Sequence, residues 1–123
     1  MPRRAISSES PYEARVGYSR AVRVGNLVVV AGTVGEGSDA YQQTKAAIAK
    51  IEAALRQAGA SLRDVVRTRI FVTEIAHWEL VGRAHAEAFG EIRPACSMVE
   101  VSALIAPEYV VEVEADAVVG ADD

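Results

Sequence analysis

From Val111 to Ala117 the chain alternates without interruption, with Val111, Val113, Ala115 and Ala117 separated by Glu112, Glu114 and Asp116. Side chains of a strand point to its two faces in turn, so this segment has one apolar face to bury and one that carries three carboxylates. A strand of that kind belongs to a sheet with one covered face and one that meets water or another molecule. The rest of the chain must supply the cover.

Two other segments read as a hairpin: Tyr18-Ser-Arg-Ala-Val-Arg-Val-Gly25 and Asn26-Leu-Val-Val-Val-Ala-Gly-Thr-Val34, joined at Gly25-Asn26, a dipeptide that tolerates the positive φ of a tight turn. The period then changes. Tyr41, Thr44, Ile48, Ile51, Leu55 and Ala58 recur at steps of three and four, which puts them on one stripe of a helix. Asp39 is placed to cap that helix, with Gln42 three residues on, and Gly59 supplies the stop. The alanines inside it favour helix and allow close approach to a sheet. Ser61-Leu-Arg-Asp64 reads as a capped turn into the strand Val65-Val-Arg-Thr-Arg-Ile-Phe-Val-Thr73, with Thr68, Ile70 and Val72 on one face and Arg67, Arg69 and Phe71 on the other. A second helix is predicted from about Ala76 to Phe89, with Trp78, Val81, His85 and Ala88 on one face and Gly90 and Pro94 ending it. Cys96 to Val101 and Tyr109 to Val119 give two closing strands, and Gly120-Ala-Asp-Asp123 reads as a frayed tail.

The order strand, strand, helix, strand, helix, strand, strand predicts an α+β fold: a mixed sheet with two helices packed on one face. At 123 residues the chain suits a single domain. Two helices leave the opposite face uncovered, and a small protein buries such a Val-rich face most readily against copies of itself, so an oligomer is expected. The excess of 17 acidic over 13 basic residues, spread along the chain, argues against a nucleic-acid partner. A lone cysteine forms no internal disulfide, the N-terminal residues lack a signal-peptide core, and Leu27-Val-Val-Val-Ala-Gly32 is far shorter than the ~20 residues that span a bilayer. A cytoplasmic protein with no membrane role is expected.

The candidate chemistry is sparse. His77 and His85 are eight apart with no third ligand at a useful spacing, so no metal site is expected, and Gly32-Thr-Val-Gly35 lacks the lysine of a phosphate-binding loop. Trp78 reads as an anchor of the second helix to the core or to a subunit contact. Arg93 is expected to be exposed. By strict alternation with their apolar neighbours, Glu112, Glu114 and Asp116 read as a solvated strand face. Glu100 is either a cleft carboxylate or a partner for Arg67 or Arg69, with pairing preferred. Cys96 reads more readily as a small buried hydrophobe than as a reactive thiol.

Gly17-Tyr-Ser, Val24-Gly-Asn26, Val30-Ala-Gly-Thr33, the helix at Ala46, Val66-Arg-Thr-Arg-Ile-Phe-Val-Thr73, and Arg93-Pro-Ala-Cys-Ser-Met-Val-Glu-Val101 with Val111-Glu-Val-Glu-Ala115 together resemble the RidA (YjgF) family of reactive-intermediate deaminases. The likeness runs from about Tyr18 to Val119. It implies a chorismate-mutase-like fold, a homotrimer, and clefts between subunits. In active members those clefts hydrolyse enamines and imines such as 2-aminoacrylate without metal or organic cofactor. Carried over by motif, Tyr18 falls at a cleft tyrosine and Glu112 at a carboxylate that positions or activates water. The residue after Pro-Ala is Arg in members with imine deaminase activity, where its guanidinium grips the substrate carboxylate through two parallel hydrogen bonds. Here it is Cys96, whose thiol cannot reproduce that fork. A substitute grip from Arg69 or Arg67 is one expectation, and weak or altered 2-imino-acid activity is another. A non-catalytic trimer that binds or senses a small molecule is the alternative, and a purely structural role is a third.

Overall fold

The computed structural model describes residues 2–121. Six strands form one sheet in the order β1-β2-β3-β6-β4-β5, where β1 is Arg3–Ile6, β2 Ala21–Val24, β3 Leu27–Thr33, β4 Val65–Val72, β5 Ala95–Glu100 and β6 Val111–Val118. All neighbours are antiparallel except β4 and β5, which are parallel and joined by a helical crossover. The mixed sheet and the hairpin turn at Gly25, whose φ is +60°, are as expected.

The helices are α1 (Tyr12–Val16), α2 (Ala40–Gln57) and α3 (Trp78–Phe89). Asp39 caps α2 by accepting from the backbone N–H of Gln42 at 2.8 Å, which satisfies one of the free donors of the first turn. At the other end Arg23 donates to Ala58 O at 2.7 Å and Arg4 to Gln57 O, placing positive charge at the negative end of the helix dipole. Gln43, buried inside α2, accepts from Val110 N and donates to Glu108 O, both at 2.9 Å, and so ties the loop before β6 to the helix.

The core lies between the helices and one face of the sheet. Ile48, Ile51 and Leu55 of α2 and Val81 and Phe89 of α3 meet Val28, Val30, Ile70, Val72, Val111 and Val113. The periods of β4, β6 and α2 therefore predicted their buried faces, whereas of the face predicted for the second helix Val81 is buried and Trp78 is not. The N-terminal segment went unread: β1 and the five-residue α1 carry Arg3, Arg4, Glu13 and Arg15 and show no apolar period. Their place is set by pairing with β2 and by charge.

Helix α3 starts later than predicted. Ile75–His77 forms one turn of 3-10 helix, with three residues per turn, and this shifts the phase of α3 relative to an uninterrupted α-helix. Trp78 is 55% exposed, so it does not anchor α3 to the core of this chain. Gly120 and Ala121 make a turn, Ala121 N–H donating to Val118 O at 3.0 Å. The rest of the expected frayed tail, Asp122 and Asp123, lies outside the described residues. Among the described residues no helix is long and apolar enough to cross a membrane.

Candidate functional site

The uncovered face of the sheet carries Glu112 and Arg69 among the candidate residues. Register places Glu112, Glu114 and Asp116 of β6 opposite Phe71, Arg69 and Arg67 of β4. Arg69 lies 3.3 Å from both Glu114 and Asp116, so its charge is shared by two carboxylates on the neighbouring strand. The expected preference of Glu100 for Arg67 or Arg69 is overturned. Glu100 stands opposite Val72, on the helix side of the sheet, where it accepts from Ile75 N at 3.0 Å.

Glu112 is half-buried, and among the described residues no donor reaches its carboxylate. Burial holds its carboxyl above the usual carboxylate range, Glu114 adds to the rise, and Arg20 opposes it. It lies against Gly32, where the pairing of β3 with β6 slips between Val30 and Thr33. A Cβ at Gly32 would sit 2.9 Å from the Glu112 carboxyl carbon, so glycine there is what leaves room for the acid.

Arg20 organises the surroundings. It is 8% exposed, and its guanidinium donates to Gly32 O at 2.8 Å, Thr33 Oγ1 at 2.7 Å and Tyr18 Oη at 3.1 Å. Its Nε faces Glu13, also buried, at 3.8 Å. Because the Tyr18 hydroxyl accepts from Arg20, its own proton is free to be donated elsewhere. Contacts thus run from Tyr18 through Arg20 and Gly32 to Glu112. Sequence reasoning missed Arg20 and Glu13. The available signal was a charged residue two positions from Tyr18 at the head of an apolar strand.

Cys96 is placed elsewhere. It pairs with Thr68, a fully buried residue under α3, so its side chain points to the helix side of the sheet, whereas Glu112 points to the open side. Two strand spacings and three residues separate them, about 14 Å between backbones. One chain does not bring them together. The expectation that Cys96 is buried is also overturned: it lies exposed on the edge strand β5, with only Ser97 O near its sulfur at 3.8 Å. Among the described residues no strand covers that edge.

Arg93 is exposed as expected and adopts a left-handed backbone with φ +55°. It borders a groove of about 310 Å³ lined by Arg63, Val66, Glu91 and Pro94, which contains neither Tyr18 nor Glu112. Among the described residues no group of three His, Cys, Asp or Glu side chains is arranged to hold a metal ion. His85 instead shares a hydrogen bond of 2.9 Å with Thr68 Oγ1 and packs on Phe89.

Comparison with known proteins gives the same frame. A crystal structure of a Mycobacterium tuberculosis member of the YjgF/YER057c/UK114 family is 63% identical, with a TM-score of 0.95 over 96% of this chain and all of that one. The 3-aminoacrylate deaminase RutC of Acinetobacter baylyi is 32% identical over 92% of this chain and 95% of its own length. An uncharacterized protein of Streptomyces coelicolor is 38% identical over 98% and 95%. The family profile described as Endoribonuclease L-PSP matches residues 8–119. A match of that extent, on a shared fold, makes this chain a member of the YjgF/RidA family.

Proposed function

We propose that this protein hydrolyses small reactive imines and their enamine tautomers to carbonyl compounds and ammonia, without metal or organic cofactor, in clefts between the subunits of a homotrimer. The observation that carries the reading is Glu112: a half-buried carboxylate with no donor of its own among the described residues, its carboxyl held above the usual range, and linked through Gly32 and Arg20 to a tyrosine with a free proton. A general base works best with a pKa near the operating pH. Glu112 takes a proton from water as the oxygen attacks the C=N carbon. Glu112 passes that proton to nitrogen to give the carbinolamine, then carries the hydroxyl proton to the same nitrogen as C=O forms, and ammonia leaves. Tyr18 donates to the substrate.

The subunit clefts are supported by the apolar side chains left on the open face, where Leu27, Val29 and Val118 stay exposed. A cleft that holds Cys96 as well as Glu112 takes the thiol from one protomer and Tyr18, Arg20 and Glu112 from the next. The deaminase among the relatives supports the reaction class. The acidic open face speaks against ribonucleic acid as substrate. Cys96 itself favours a second reading, a trimer that binds a small metabolite without turning it over.

The test is ammonia release from freshly generated imines. The native protein should exceed the uncatalysed rate, and Glu112→Gln should reduce the enzymatic rate by about 10²- to 10⁴-fold, the usual contribution of a general base. Cys96→Arg should raise turnover of 2-imino acids by roughly two orders of magnitude, as expected for restoring a desolvated charge pair. No acceleration of any imine by either the native protein or Cys96→Arg would leave the binding reading in its place.

A further inference from the structure

We propose that the Glu112 site selects imines and enamines that carry no carboxylate beside the reacting carbon; this rests on the hydrolase reading above. A carboxylate bound next to Glu112 needs a cation with two parallel N–H groups to spare, and each cation of the open face is otherwise engaged or distant. Arg20 lies closest, but NH1 donates to both Gly32 O and Thr33 Oγ1, NH2 donates to Tyr18, and Nε faces Glu13. No free edge of the guanidinium is left for a bidentate grip. Arg69 is held between Glu114 and Asp116. Arg67 stands four residues along β4 from Phe71, the residue opposite Glu112, about 13 Å away. The position after Pro-Ala is Cys96, which has no guanidinium to offer.

The charges that remain favour the opposite kind of guest. Glu112 has Glu114 two residues along the same strand face, and the rise of its carboxyl comes from burial and from that neighbour. An anionic substrate meets the Glu112 and Glu114 carboxylates there, while Arg20 and Arg69 are already committed to partners within the chain. A protonated iminium instead pairs with the Glu112 carboxylate. Hydrolysis then balances: water supplies the oxygen to the C=N carbon, Glu112 accepts one proton from it and returns it to nitrogen, and as ammonia leaves the hydroxyl proton passes to Glu112, with no oxidant or reductant.

The experiment compares two substrates that differ only in this group, 2-iminopropanoate and 2-iminopropanamide, each generated in situ with ammonia followed continuously. The amide should be preferred in kcat/KM by about tenfold or more, the factor that corresponds to 1.4 kcal/mol of unbalanced charge. Cys96→Arg should reverse the order by raising the rate on the acid. Preference of the native protein for 2-iminopropanoate overturns the inference and leaves the hydrolase reading standing. If neither imine is hydrolysed, the hydrolase reading fails, and calorimetry with the stable pair pyruvamide and pyruvate decides the selectivity. Tighter binding of pyruvamide upholds it, while tighter binding of pyruvate, or no binding of either, overturns it.

Discussion

Arg20 shows how one side chain ties three segments together beside the proposed site. Its guanidinium and the Glu13 carboxylate are both about nine-tenths buried, and removing one member of such a pair leaves the other as an uncompensated charge. Arg20→Met should therefore lower unfolding free energy by about 3–5 kcal/mol in urea denaturation, since that is the cost typical of breaking a buried pair. In the Glu13→Gln background the same change should cost clearly less, because the two residues share one interaction. Glu112 was singled out in the sequence by its motif, since strand alternation alone reads it as one more solvated carboxylate. Arg20 was not, because its partners Glu13, Gly32 and Thr33 come from separate segments and meet only when α1 folds back beside β2 and β3. Cys96 was misjudged for a related reason: burial depends on whether a strand is central or at an edge, and residue type does not reveal that.

At the scale of elements, α3 is joined to β4 through one polar contact in an otherwise apolar layer. Thr68 is fully buried and His85 half-buried, and desolvation lowers the His85 pKa from 6.5. The unfolded chain then binds the proton more readily than the folded one, so stability rises with pH through this window and falls as pH drops below 6.5. Thermal melts between pH 7.5 and about pH 5 should show that decline, and His85→Gln, which cannot titrate, should flatten it. The boundaries of α2 were readable from Asp39 and Gly59 because caps are local chemistry. The start of α3 was misread because a 3-10 turn uses the same residue types and differs only in its hydrogen bonds.

At the scale of the molecule, the open face is the feature that needs a partner. Val29 stands directly opposite Asp116 across the β3 and β6 pair, so Val29→Glu sets two carboxylates side by side and removes apolar area from the proposed subunit contact. Light scattering should give three times the 13.1 kDa chain mass for the native protein and a single chain mass for Val29→Glu. A native mass of one chain would remove the inter-subunit cleft, and with it any role for Cys96 beside Glu112.

The sequence by itself determined the elements after the N-terminal segment and the buried faces of α2, β4 and β6, because hydrophobic period and capping act over a few neighbouring residues. It also marked Glu112 and Tyr18, since both lie in recognisable local patterns. Only the tertiary structure decided that Arg20 and Glu13 support that site, that Glu100 serves a backbone N–H, and that Cys96 and Glu112 face opposite sides of the sheet. Those facts depend on strand order and register. The edge position of β5 and the pairing of each residue arise from contacts between segments dozens of residues apart, which no local pattern records.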